Sequence, residues 1–217
     1  MPTALTVKLI QQEALTFARV ESKWPEPSLF GVTDGKAVGT YLEQKFQAFL
    51  QTRYEYDRGS AAKGIDFPGL DVDIKTTSIK QPQSSCPFKN ARQKIYGLGY
   101  SLLIFVYDKK DNAATKTGLL DILHTIFVQK ERTADHSMTV ALRRMIEDGA
   151  NSDDILAYFE ERNLPIDEFE SQTLAAEIIN NPPQIGYLTI SNARQWRLQY
   201  KRVIKQAGSV EGILRLS

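Results

Sequence analysis

The sequence predicts an α/β fold: a mixed central β-sheet flanked by helices, carrying a helical insertion. Three stretches predict it. Residues 70–107 read strand, helix, strand, an order that implies a right-handed crossover and parallel pairing. Tyr100 to Tyr107 is a nearly continuous apolar run, as expected of a strand covered on both faces. Residues 133–181 change to three amphipathic helical segments, about 135–148, 152–162 and 167–180, punctuated by Gly149, Ser152, Pro165 and Pro182-Pro183.

Bulk composition narrows the function classes. The chain has 217 residues, 42% hydrophobic and 24% charged. That suits one domain over residues 1–217 with a sizeable core, residues 133–181 forming an insertion or subdomain within it. Formal net charge is +1. A near-neutral total neither supports nor excludes nucleic acid, because phosphate contacts need only local basic surface. Cys86 is the only cysteine, which excludes an internal disulfide and a cysteine-cluster zinc site and fits a reducing cytoplasm. His124 and His136 are the only histidines, too few for a histidine-rich metal site. No charged-then-apolar leader and no apolar run of ~18 residues is present, so neither export nor a membrane span is expected.

The elements follow in order. Residues 3–21 read as a helix with Leu5, Leu9, Leu15 and Phe17 toward the core. Trp24, Pro25 and Pro27 mark a loop. Asp34 is placed to cap a second helix over 35–51, whose stripe is Val38, Leu42, Phe46, Phe49 and Leu50. Glu43 lies at the edge of that stripe. Tyr54 to Tyr56 reads as a short strand, and Arg58, Gly59, Ser60 and Lys63 form a basic approach to Asp66 where a phosphate could be met.

The stretch around which the chain is organised runs from Gly64 to Lys80. Read as a strand, Leu70 to Ile79 puts Leu70, Val72 and Ile74 on one face and Asp71, Asp73, Lys75 and Thr77 on the other. Asp66 precedes it on a segment broken by Pro68 and Gly69, and a tight bend there would bring Asp66 beside Asp73. Two carboxylates so placed repel, and burial would raise one pKa. A divalent cation removes the conflict, and carboxylates completed by water suit Mg²⁺. Lys75 would then hold or polarise an attacking water.

Asp66, Asp73 and Lys75 resemble the PD-(D/E)xK nuclease signature. The string Asp66-Phe-Pro-Gly-Leu-Asp-Val-Asp-Ile-Lys75-Thr76 is similar to the active-site segment of the mismatch-repair nicking enzyme MutH and related type II restriction endonucleases. Ile65 replaces the motif proline, and Asp73 stands where the closest of those enzymes carry glutamate. The resemblance covers roughly residues 34–107. It implies a restriction-endonuclease-like sheet and Mg²⁺-dependent cleavage of double-stranded DNA at a short sequence, with Mn²⁺ substituting. It also implies a glutamate from an early helix at the metal site, which Gly39-Thr-Tyr-Leu-Glu43 matches, and a second cation near the crossover helix, Lys89 first and Lys94 second. A repair nicking enzyme, a junction resolvase or an exonuclease would share these residues. A catalytically silent DNA-binding protein is the alternative of another class. A homodimer that cuts both strands stays open beside a monomer, in a prokaryotic cytoplasm.

Beyond that stretch, Gln81 to Pro87 reads as a loop, with Ser84, Ser85 and Cys86 facing either substrate or solvent, and residues 88–97 read as a short helix closed by Gly97 and Gly99. It should cover the sheet near the carboxylates. Asp108 to Thr117 reads as a charged turn and Leu119 to Val128 as a strand hairpinned to the previous one, with His124 a satisfied core histidine. Ile185 to Ile190 reads as a further strand. Arg194, Arg197, Lys201, Arg202 and Lys205 then concentrate positive charge beside Trp196 and Tyr200. As a strand this segment would align Arg197, Gln199 and Lys201. Arg and Gln are the residues that read guanine and adenine edges, so DNA contact is expected here.

Overall fold

A computed structural model describes residues 3–57, 59, 64–85, 88, 90–191 and 197–217. In chain order its first half contains β1 (Thr3–Ala4), α1 (Val7–Glu21), β2 (Pro25–Glu26), α2 (Gly35–Gln51), β3 (Tyr54–Glu55), β4 (Val72–Ser78), β5 (Gln83–Ser85), α3 (Ala91–Tyr96) and β6 (Ser101–Asn112). The second half contains β7 (Thr117–Val128), α4 (His136–Glu147), α5 (Ser152–Glu161), α6 (Glu168–Asn180), β8 (Thr189–Ile190), β9 (Arg197–Gln199), α7 (Lys201–Gln206) and β10 (Ile213–Arg215).

The central sheet is mixed, as the sequence predicts. Its order is β10-β7-β6-β4, with β2 added on β7. The strand–helix–strand unit pairs β4 parallel to β6, from Val72↔Ser101 to Ser78↔Tyr107. β6 and β7 form the predicted hairpin, but it is longer than the sequence suggested. Asp108 to Asn112 stay paired, as far as Asn112↔Thr117, and the turn shrinks to four residues with Lys116 at φ 54°. Charges there pair with one another, Lys109 with Asp111 and Lys110 with Asp121, along an arm whose β7 strand is also flanked by β2. Val106/Tyr107 carries a register shift opposite His124, whose Nδ1 meets Arg215 at 2.9 Å, so that histidine is satisfied by an arginine at the surface.

Each sheet face has its own cover. Val72, Ile74, Leu103, Phe105 and Phe127 pack against Ile10, Phe17, Leu42 and Phe46 of α1 and α2. On the other face Leu102, Ile104, Val106 and Val128 meet Leu188, Leu198, Tyr200 and Val203. The cover on that second face is therefore the C-terminal segment, not α3. Ala91 and Ile95 of α3 instead join Leu142, Ile155, Phe159, Leu174 and Ile178 of α4 to α6 in a separate cluster. Only six residues long, α3 buries one narrow side, and the helical block claims it.

Several short strands depart from expectation. β3 pairs with β1, apart from the main sheet. β5, β9 and β8 form a small antiparallel sheet in the order β5-β9-β8. The strand expected from Ile185 reduces to Thr189–Ile190 because residues before it bond to the loop ahead of α4, as in Tyr187 N–H to Arg132 O at 2.9 Å. Among the described residues no helix is long and apolar enough to cross a membrane.

Candidate active site

The geometry begins with a turn. Pro68 to Leu70 form one 3₁₀ turn, Asp71 takes the left-handed conformation at φ 52°, and Phe67 and Val72 bond to each other across it. Aspartate tolerates that conformation better than a bulky residue. The strand thus starts at Val72, not Leu70, and Asp71 belongs to the turn. Reversal brings Asp66 alongside β4. Being the last strand in the sheet, β4 has an open edge, and such an edge offers unpaired N–H groups. Asp66 Oδ2 accepts one of them, from Ile74, at 2.8 Å. Gln47 Nε2 donates to the other oxygen at 3.1 Å. Gly59 closes the approach from the other side: its N–H donates to Asp66 O at 3.0 Å, and a Cβ there would lie 1.7 Å from Ile65 O.

On β4 itself Asp73 is 3% exposed. Lys75 Nζ sits 2.6 Å from Asp73 Oδ2. Yet that oxygen lies off any proper hydrogen-bond direction and is left without such a bond. Glu43 arrives from α2, which lies along β4. Gly39, one turn earlier, faces the same strand: a Cβ there would make ordinary contacts with Thr76 Cβ at 3.9 Å and Glu43 Oε1 at 4.0 Å. Asp66, Asp73, Lys75 and Glu43, expected at one site, are thus neighbours.

Their electrostatics show the crowding. Burial pushes the Asp66 carboxyl from 3.8 up to about 7, helped by a hydrogen bond and charge repulsion from Asp73, while the Ile74 N–H and Lys75 oppose it. Burial also raises Glu43 from 4.5 to about 7; Asp66 and Asp73 add to the rise, and Lys75 opposes it. Among the described residues no three acidic, histidine or cysteine side chains converge to enclose an ion by themselves. A cation here would therefore take Asp66 and Asp73, with oxygens of water or phosphate filling the remaining positions. The residues fit that role: Asp73 presents a buried oxygen with no hydrogen bond, and the Asp66 carboxyl, raised by burial beside Asp73, carries a strain that positive charge relieves.

Glu43 and Lys75 open onto a groove of about 780 Å³. Its walls are the first turn of α2 with Lys36, the strand β4 through Ser78, Lys80, β5, Lys109 and Arg197. The sequence reading missed Lys36, Lys80, Lys109 and Gln47. Gln47 follows Glu43 by four residues on the same helix face, a spacing that could have flagged it.

The remaining predicted contacts divide. Arg58, Lys63, Lys89 and Arg194 lie outside the described residues. Lys94 is 3% exposed on α3. Arg197 is exposed on β9 and lines the groove, and Gln199 is half-buried two residues on. Lys201 does not continue their face, a correction: Tyr200, fully buried with its hydroxyl 2.7 Å from Ser84 Oγ, ends the strand, and α7 begins at Lys201. Arg202 is half-buried on α7, its Nε covered and without a hydrogen bond.

Comparison with known proteins was made on this framework. A family model described as type II restriction enzyme NspV matches residues 4–215. The chain is 60% identical over 212 residues to Type II restriction enzyme NspV of Nostoc sp. (strain ATCC 29411 / PCC 7524), covering 98% of this chain and 96% of that protein. No solved structure matches.

Proposed function

From the premise that this chain belongs to the NspV family of type II restriction enzymes, endonucleases that cut DNA at specific sites, we propose that it cleaves double-stranded DNA with Mg²⁺ held by Asp66 and Asp73. The observation that carries this is the return of Asp66 onto the edge of β4, 2.8 Å from the Ile74 N–H, beside the buried and under-bonded Asp73.

The chain's own groups have distinct tasks. Gln47 and the Ile74 N–H fix the Asp66 carboxylate so that its remaining lone pairs face the site. Lys75 holds a phosphoryl oxygen or the attacking water and opposes the charge that builds on phosphorus. Glu43, with its pKa near 7, orients that water and can take its proton near neutral pH. When bound, the divalent cation supplies Lewis-acid stabilisation of the phosphate. Water attacks in line, the bond to the 3′ oxygen breaks, and the ends carry 5′-phosphate and 3′-hydroxyl. The groove beyond Lys75 receives the duplex, with Lys36 and Arg197 as phosphate or base partners. Mn²⁺ substitutes for Mg²⁺. One domain over residues 1–217 in a prokaryotic cytoplasm, working as a homodimer to cut both strands, completes the reading.

The test is digestion of a sequenced plasmid with Mg²⁺, followed by sequencing of the ends. Discrete fragments from one short sequence support the proposal, and nicks or nibbled ends refute it. Asp66→Ala and Lys75→Ala should each abolish cutting while Ca²⁺-supported DNA binding survives. Full cutting by either variant would remove that residue from the chemistry.

A further inference from the structure

The small sheet beside the groove has two unlike faces. Strand alternation and register define them. Ser84 pairs with Leu198, and Leu198 pairs with Ile190. This row turns inward: Leu198 is fully buried, Ile190 is 5% exposed, and Ser84 Oγ meets Tyr200 Oη at 2.7 Å. The alternate row holds Gln83 opposite Gln199 and Ser85 opposite Arg197. Arg197 and Ser85 are exposed, and the two glutamines are half-buried. Among the described residues, the side chains of Gln83, Gln199 and Arg197 make no hydrogen bond or ion pair with the protein. Gln83, Ser85 and Arg197 line the same groove as Glu43 and Lys75.

Such a face is unusual for a surface ribbon. Its hydrogen-bonding groups are two amides, a hydroxyl and a guanidinium, and none is an acid that would repel DNA. Its underside is clamped to the core by Leu198 and Tyr200, so the strands are held in place. Two adjacent antiparallel strands can enter the major groove, as β5 and β9 would with the two-residue β8 flanking β9, and amide and guanidinium groups make the two-pronged contacts that separate adenine and guanine from other bases. A merely phosphate-binding surface needs charge, not paired amides.

We propose that β5 and β9 form the sequence-reading element of this enzyme. Gln83 and Gln199 recognise an A·T pair or adjacent A·T pairs, and Arg197 recognises guanine. This inference rests on the reading that DNA lies in the groove above Lys75.

The experiment measures Ca²⁺-supported binding of Gln199→Leu, Gln83→Leu and Arg197→Ala to a duplex carrying the cleaved sequence, and to duplexes with single base-pair changes in it. Each variant should lower the preference for the cognate duplex over a changed one by roughly tenfold or more at one position, A·T for the glutamines and G·C for Arg197. Non-specific binding should persist, which also reports an intact fold; Gln199→Asn, a shorter amide, serves where leucine disturbs β9. A uniform loss over all duplexes, with a salt dependence lowered by about one phosphate, would make these residues backbone contacts and overturn the proposal. Unchanged discrimination by all three variants would overturn it as well. Failure of the broader reading looks different: Asp66→Ala would then still cut.

Discussion

Asp66→Asn should make the metal-free protein more stable at alkaline pH while removing its activity. The folded pKa of Asp66, about 7, lies above its ordinary 3.8. A carboxyl raised in this way favours folding while protonated, and that contribution is lost as pH rises from 3.8 through about 7. Three decades of proton affinity correspond to about 4 kcal/mol at about 1.4 kcal/mol per decade. Water in the groove screens part of this, and Glu43 shares the relief, so we expect a gain of about 1–2 kcal/mol in the variant near pH 8.5. Near pH 4.5 the two proteins should be almost equally stable, because asparagine resembles protonated aspartate and can still accept the Ile74 N–H. Urea unfolding in EDTA, followed by tryptophan fluorescence at several pH values, measures this directly. Adding Mg²⁺ should stabilise the wild type and leave the variant nearly unmoved. Parallel stability–pH curves, or a variant less stable near pH 8.5, would refute the reasoning. The hydrogen bonds from Gln47 and Ile74 would then outweigh the crowding.

Other perturbations separate placement from chemistry. Gly59→Ala forces a Cβ into Ile65 O, so the Asp66 segment must shift; we expect at least a tenfold fall in cleavage and a loss of about 1–3 kcal/mol in urea unfolding. Glu43→Gln should cut more slowly and flatten the rise of cleavage rate near pH 7, read from single-turnover rates over pH, because its own titration near 7 is removed. Lys36→Ala should weaken binding to cognate and changed duplexes alike and reduce the salt slope by about one, measured by anisotropy titration at several salt concentrations. Asp135→Ala should cost about 2–4 kcal/mol in urea unfolding with little effect on the metal response. Asp135 is 4% exposed and accepts from Met138 N at 2.9 Å and Ile190 N at 2.8 Å, so its removal orphans two buried donors.

Local chemistry explains what was legible in the sequence. The bounds of α2 were readable because Asp34 caps it and its apolar stripe is regular. The bend that returns Asp66 was readable because Pro68 and Gly69 break the segment, but its end was not: Asp71, read as part of the strand, belongs to the turn. The parallel pairing of β4 with β6 followed from a helix between two apolar strands. What escaped depends on long-range partners. The small sheet joins Gln83–Ser85 to residues more than a hundred positions later, and neither three-residue strand carries a periodic signal. The cover of the second sheet face escaped for the same reason: α3 looked suited to it, but Leu198, Tyr200 and Val203 from the chain's end bury more apolar surface there.

The groove also shows why net charge was uninformative. A formal charge of +1 is the sum of separated regions. Lys36, Lys75, Lys80, Lys109 and Arg197 outnumber Asp34 and Glu43 around one groove, whereas Asp153, Asp154, Glu168 and Glu170 open the helices of a block with a core of its own. Some groove cations already have partners: Lys109 pairs with Asp111, and Lys80 lies 3.8 Å from Asp108. The first pair lies on the long hairpin, and both reduce repulsion among the cations that line the groove. Fields from exposed charges fade within about 8–10 Å at physiological salt. Charges of the acidic helix starts, which do not line the groove, are screened over such distances, and a nearly neutral protein can still carry a locally basic groove.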